Sequence, residues 1–207
     1  MRVILEVRAK IKISAIFEGI YLNEKINGAG KTTASYTILP EILNCDEFVN
    51  ADEIAKGLSP FRPEKAGIQA GRLMLQRIKS LISKGQDFAF ETTLATKSYK
   101  NLVTDAQANG YSVILIFFYL SSQDLAVKRV ETRVKEGGHD IPEKVIRRRY
   151  ENGLKNFFNI FKSIVDEWMF IENSGEPYQL IAQKTKSTDK IYIDQIWNEL
   201  KTKYDGQ

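Results

Sequence analysis

The stretch with the clearest chemical potential is Asn27-Gly28-Ala29-Gly30-Lys31-Thr32-Thr33, the second half of a phosphate-binding loop running into the first turn of a helix. Gly28 and Gly30 let main-chain N–H groups close around an anion. The helix that follows presents its positive end, and Lys31 adds a full charge beside the outer phosphates. Thr32 supplies the hydroxyl that such loops offer to Mg2+. In the full pattern G-x-x-x-x-G-K-[ST] the first glycine falls on Lys25. A side chain there crowds the phosphates or denies the backbone its turn, so the cost falls first on affinity. With no ligand, the same residues read as an ordinary turn and the start of an ordinary helix.

Phosphoryl transfer also needs a metal, an acceptor positioned by a carboxylate, and cations for the charge on the moving group. Asp52 lies just past a strand end, where it can take the proton of a hydroxyl nucleophile or, equally, act as an N-cap or first-turn acid. Glu91-Thr92-Thr93 ends an apolar strand, so Glu91 can hold the metal's water shell while Thr92 and Thr93 touch an acceptor. The competing reading is a cap for a helix beginning near Ala95. Arg129 and Arg133 are four apart on one helix face, and Arg147, Arg148 and Arg149 follow the break at Gly137-Gly138. Planar guanidinium groups clamp phosphate charge through paired hydrogen bonds. For any one of these arginines a solvated surface role leads; for the group, at least one clamp is expected. The glycine break reads as a lid that brings the two groups together, with His139 in it as a solvent-facing or capping residue.

These residues need elements to position them. Residues 1–13 alternate, with Val3, Leu5, Val7, Ala9, Ile11 and Ile13 on one side, the pattern of a half-buried strand. Ala15-Ile16-Phe17 and Ile20-Tyr21-Leu22, interrupted by Gly19, are the candidate strand feeding the loop. A helix over 32–43 is expected to end or bend at Pro40. Phe48-Val49-Asn50 reads as a short strand and 51–55 as a helical start. Residues 64–84 read as an amphipathic helix carrying Ile68, Leu73, Leu75, Ile78, Leu81 and Ile82 and stopped by Gly85. The strand 88–91, a helix over 97–109 closed by Gly110, and the apolar run 113–120 of a strand buried on both faces follow. Next come a helix over 123–135 and a long helix from first-turn Pro142 to about Val165. A last strand over 168–172, the turn 173–177 and a terminal helix over 187–204, within the segment 184–207, complete the chain. Strands alternating with helices predict an α/β fold, a parallel sheet with helices on both faces and ligands at the carboxyl ends of its strands.

The 207 residues suit one domain with a sizeable core, and the net charge of +4 suits a polyanionic small molecule better than nucleic acid. Cys45 and His139 are the only residues of their kinds, which excludes a disulfide framework and a structural zinc site. No segment reaches membrane-spanning length, and the expectation is a soluble cytoplasmic protein.

Several stretches, in order, resemble the zeta-toxin-like family of P-loop kinases, especially its chromosomal branch of predicted ATPases. They are Asn27-Gly-Ala-Gly-Lys-Thr-Thr, Phe48-Val-Asn-Ala-Asp-Glu-Ile-Ala-Lys-Gly-Leu-Ser-Pro, Phe90-Glu-Thr-Thr-Leu, Arg133-Val-Lys-Glu-Gly-Gly-His-Asp-Ile-Pro and Asn173-Ser-Gly, spanning about residues 26–183. The resemblance implies an adenylate-kinase-like core, ATP and Mg2+ as cofactors, and γ-phosphate transfer to a small-molecule hydroxyl, nucleotide sugar being the acceptor known for zeta toxins proper. It also raises an antitoxin protein as a partner. On it, Lys31 and Thr32 fall on the phosphate lysine and the Mg2+ hydroxyl, Asp52 on the catalytic base, and Glu91 and Thr92 in the acceptor and metal region. Arg133 and Arg149 are the chosen clamp. The family's Gly-Pro before Asn27 is Lys25-Ile26 here, and residues 1–24 are unlike its short leading strand. These departures motivate the alternative of a nucleotide-binding protein with little kinase activity. A transporter-type ATPase shares the loop, but the chain has no Leu-Ser-Gly-Gly signature and no apolar strand ending in Asp-Glu.

Overall fold

A continuous apolar run is stable as a strand only when both faces are covered, and Tyr111–Tyr119 meets that condition, every residue of it being buried. In the computed structural model the described residues are 2–9, 45, 47–136, 138 and 140–206. They form β1 (Arg2–Ala9), β2 (Phe48–Val49), α1 (Ala51–Leu58), a 3-10 turn (Pro63–Ala66) leading into α2 (Gly67–Ser83), β3 (Phe88–Thr92) and α3 (Tyr99–Ala108). There follow β4 (Tyr111–Tyr119), α4 (Gln123–Lys135) and α5 (Glu143–Asn156), which continues through a π-helical turn (Phe157–Phe161) and Lys162–Ile164. The chain closes with β5 (Glu167–Glu172), β6 (Gln179–Lys184), β7 (Asp189–Ile191) and α6 (Asp194–Tyr204).

The strands make one sheet in the order β2-β3-β1-β4-β5-β6-β7. β2 is parallel to β3 and β4 to β5, as an α/β fold requires. The sheet is nevertheless mixed. β1 lies between β3 and β4 and runs antiparallel to both, Ile4 standing opposite Glu91 on one side and Ile116 on the other. β6 and β7 add an antiparallel edge. The expected half-buried pattern is corrected at Val3, Ile4 and Leu5, all fully buried because both faces of the sheet are covered there, Val3 and Leu5 packing into the larger core and Ile4 into the smaller; residues 10–13 of the expected strand lie outside the described residues.

Other expectations change in the same way. In α2 the buried stripe is Ala70, Met74, Ile78 and Leu81, while Ile68, Leu73 and Leu75 are exposed, since only one stripe of a helix can face the sheet. Pro142 precedes the helix instead of opening its first turn, its ψ of 134° being extended. β5 is not the last strand, and the terminal helix begins at Asp194, residues 189–191 pairing with β6. Gly85 and Gly110 end their helices as expected, with φ of 66° and 84°.

One face of the sheet carries the larger core, in which Leu5, Phe90, Phe117 and Phe170 meet Met74, Ile78, Leu154, Phe157 and Trp197 from the helices. Phe117 and Phe170 stack at 4.8 Å, and Trp168 and Trp197 at 5.3 Å. On the other face Ile4, Ile114, Ile116, Met169 and Ile171 form a smaller cluster with strand and loop residues among those described. The helix expected over 32–43 and the loop-feeding strand expected over 15–22 lie outside the described residues. Among the described residues no helix is long and apolar enough to cross a membrane.

Candidate active site

β2, β3, β4 and β5 run the same way and deliver their last residues to one edge of the sheet, where open α/β sheets bind ligands. Because β1 is reversed, its first residues stand at this edge, Val3 opposite Thr92 and Arg2 opposite Phe118. Ala9 stands at the opposite edge, across from Tyr111.

Asn50 organises the β2–β3 side. It leaves the strand in extended conformation and caps α1, its Oδ1 accepting from the Asp52 N–H at 2.8 Å and the Glu53 N–H at 3.4 Å. Its Nδ2 donates to Glu91 Oε2 at 3.1 Å. The cap is thus Asn50, and the cap alternative for Asp52 falls away. Asp52 is a first-turn acid whose exposed carboxylate meets no partner among the described residues. Glu91 is half-buried in β3 and does not cap the helix that follows it, which begins only at Tyr99.

After Glu91 the chain turns sharply. Thr92 Oγ1 accepts from the Leu94 N–H at 3.1 Å, and Asn156 Nδ2 donates to the Leu94 carbonyl at 2.8 Å. Leu94 holds a φ of 55°, an uncommon conformation for a residue with a side chain, with a cost of order 1–3 kcal/mol. Thr93 is half-buried beside it.

On the β4–β5 side the two strand ends are tied together. The Asn173 N–H donates to the Tyr119 carbonyl at 2.8 Å, the Ser121 N–H to Ser174 Oγ at 2.7 Å, and the Ser174 N–H to Glu172 Oε1 at 2.9 Å. Arg129 donates to the Asn173 carbonyl; burial pulls its pKa down, against the opposite pull of Tyr178 and Glu172. Tyr150 donates to the Leu120 carbonyl at 2.7 Å, which fixes α5 to the end of β4. Burial raises its phenol well above the usual range.

The arginines divide. Arg129 is engaged with Asn173, and Arg147 joins Asp124 and Glu143, each at 2.7 Å. Arg133 is half-buried in α4, and its carbonyl accepts from the Gly138 N–H at 2.8 Å. A Cβ at Gly138 would stand 2.7 Å from Arg133 Cγ and 2.9 Å from its carbonyl oxygen. Arg149 is exposed on α5 and meets no partner among the described residues. Asn27, Gly28, Ala29, Gly30, Lys31, Thr32 and Thr33 lie outside the described residues, as do Gly137 and His139 of the expected lid.

What the structure brings together, then, is Asn50, Asp52 and Glu91, with Thr92 and Thr93 following in the same strand end. The capping role of Asn50 was open to sequence reasoning, as an asparagine directly before Ala-Asp-Glu at a strand end. Asn156 gave no such signal. Among the described residues no three His, Cys, Asp or Glu side chains gather as a metal site. One or two carboxylates at this edge nonetheless fit Mg2+, which keeps most of its water and is completed by substrate phosphates.

A protein of Haemophilus influenzae, described as "Uncharacterized protein", is 31% identical over 127 residues, covering 60% of this chain and 86% of its own length. No solved structure matches the chain. The model of the zeta toxin family matches residues 27–186, which leaves β1 outside the match. Because this match takes in the phosphate-loop sequence and every strand from β2 to β6, the chain belongs to the zeta toxin family, a family of P-loop, kinase-like, nucleotide-binding proteins.

Proposed function

We propose that the protein is an ATP-dependent phosphotransferase that moves the γ-phosphoryl group of ATP to the hydroxyl of a small molecule, a nucleotide sugar being the acceptor class that the resemblance implies. One observation carries this reading: Asn50 caps α1 and holds Glu91 at once, which sets two carboxylates at the ligand edge and leaves that of Asp52 without a partner among the described residues.

In this reading Asp52 accepts the proton of the acceptor hydroxyl as its oxygen bonds to phosphorus and ADP leaves. Thr92 and Thr93 hold the acceptor. Asn27, Gly28, Ala29, Gly30 and Thr33 surround the phosphates with main-chain donors, Lys31 neutralises them, and Thr32 with Glu91 would hold Mg2+. Arg133 and Arg149 face the transferred group. Bound Mg2+ supplies charge neutralisation between the phosphates.

The experiment incubates the protein with ATP, Mg2+ and a panel of nucleotide sugars and follows phosphorylated product. Asp52→Asn is expected to lower turnover by about 10²–10⁴-fold while nucleotide affinity survives. Equal turnover by the variant removes Asp52 from its role.

A second reading, a nucleotide-binding protein with little transfer activity, is favoured by Lys25 at the first glycine position and by β1 running opposite to its parallel neighbours in the middle of the sheet. It expects weak ATP affinity that rises when Lys25→Gly and Ile26→Pro are introduced together. Unchanged affinity after that repair counts against it.

A further inference from the structure

We propose that Asn156 is a positioning residue for the acceptor side of the site, acting through the main chain of Leu94; the kinetic part of this inference rests on the phosphotransferase reading. Leu94 is fully buried and left-handed at φ 55°, and its peptide groups are held by side chains. Its N–H goes to Thr92 Oγ1 at 3.1 Å and its carbonyl to Asn156 Nδ2 at 2.8 Å. A bulky residue stays in that conformation only when its surroundings impose it. The turn so imposed begins immediately after Thr92 and Thr93, and it aims the Leu94 N–H at Thr92 Oγ1, which orients that hydroxyl beside Glu91.

Asn156 is suited to this task by its place in the fold. It is buried, 6% exposed, and is the last residue of α5 before the π-helical turn Phe157–Phe161. Turns of this kind often mark functional sites. Phe157, next in the chain, packs on Phe117 and Phe170 with ring centres at 4.9 Å, and on Trp168 at 5.6 Å. The amide is therefore presented from one of the best-packed points of the core. It reaches the acceptor side across 62 residues of sequence. A core residue selected for packing alone would be apolar, because a buried amide adds stability only when it is fully used.

The test uses the full chain. Asn156→Asp keeps the shape and cannot donate; Asn156→Ala, uncharged and compatible with a helix, replaces it if the first fails to fold. Asn159→Leu is the control: Asn159 lies on the same helical segment but bonds to the Lys155 and Tyr204 carbonyls. Hydrogen exchange is expected to speed up about tenfold or more over residues 91–98 in the Asn156 variant, with 111–119 unchanged. In transfer from MgATP to a panel of nucleotide sugars, the acceptor KM is expected to rise about tenfold while the KM for ATP stays within about twofold. Asn159→Leu should lower stability and leave the acceptor KM alone. Wild-type exchange over 91–98, or a uniform rise across the molecule, overturns the proposal. So does an unchanged acceptor KM. If the wild-type protein transfers no phosphate to any acceptor, the phosphotransferase reading fails instead, and exchange over 91–98 alone decides whether Asn156 holds the turn.

Discussion

Asn50 does two jobs with one amide, and substitutions separate them. Asn50→Ala should lose about 1 kcal/mol from the cap of α1, read by urea denaturation, and release Glu91 as well. Asn50→Asp caps as well as asparagine but cannot donate to Glu91, so it should keep α1 and still impair transfer. Gly138→Ala forces a Cβ against Arg133, whose side chain can move aside but whose carbonyl cannot. The expected loss is about 1–3 kcal/mol in stability.

Glu167 gives a pH prediction at the same scale. It is 2% exposed, and burial, then Asp166, raise its pKa, with Lys186 opposing. The folded protein therefore holds its proton to higher pH than the unfolded chain, so stability falls as pH rises from the ordinary glutamate pKa through the raised one. Glu167→Gln should remove that decline. Denaturation midpoints of the two proteins should diverge in favour of the variant as pH rises from 4 to 8.

Among the elements, β1 sets the sharpest test. Alternating apolar and polar residues over 1–13 describe a strand with one wet face, yet the strand is paired on both sides, and Val3, Ile4 and Leu5 are dry on both faces. Leu5→Ala should therefore cost about 2–5 kcal/mol, the range of a core deletion. A loss below about 1 kcal/mol would show that β1 is not held between β3 and β4. Periodicity reports how many faces a strand hides only when the strand's place in the sheet is known, and that place depends on pairing partners 81 to 116 residues away. The same reason misplaced the apolar side of α2: of the six apolar residues expected to form it, contact with the sheet buried Ile78 and Leu81 and added Ala70 and Met74, while Ile68, Leu73 and Leu75 stayed exposed.

Among the described residues, an aromatic cluster joins β4, β5, the π-helical turn and α6. Phe157 touches Phe117, Phe170, Trp168 and Trp197. Phe157→Ala should cost about 3–5 kcal/mol and lower Tm accordingly. Since Asn156 directly precedes Phe157, the same truncation should also loosen the Leu94 turn, detectable as faster exchange over residues 91–98.

By itself the sequence determined the α/β class, most element positions from β2 to α5, the phosphate-loop pattern and the carboxylates worth testing. These depend on local spacing and on side-chain chemistry, which a single segment contains. Only the tertiary structure decided that Asn50 also holds Glu91, that Arg129 is occupied by Asn173 and Arg147 by Asp124, and that Asn156 reaches Leu94. It also decided the direction of β1 and the antiparallel pair β6–β7. Apart from the β6–β7 pair, each of these joins segments distant in the sequence, and hydrogen-bond partners are chosen by which surfaces meet when the core closes, a choice that no local pattern records.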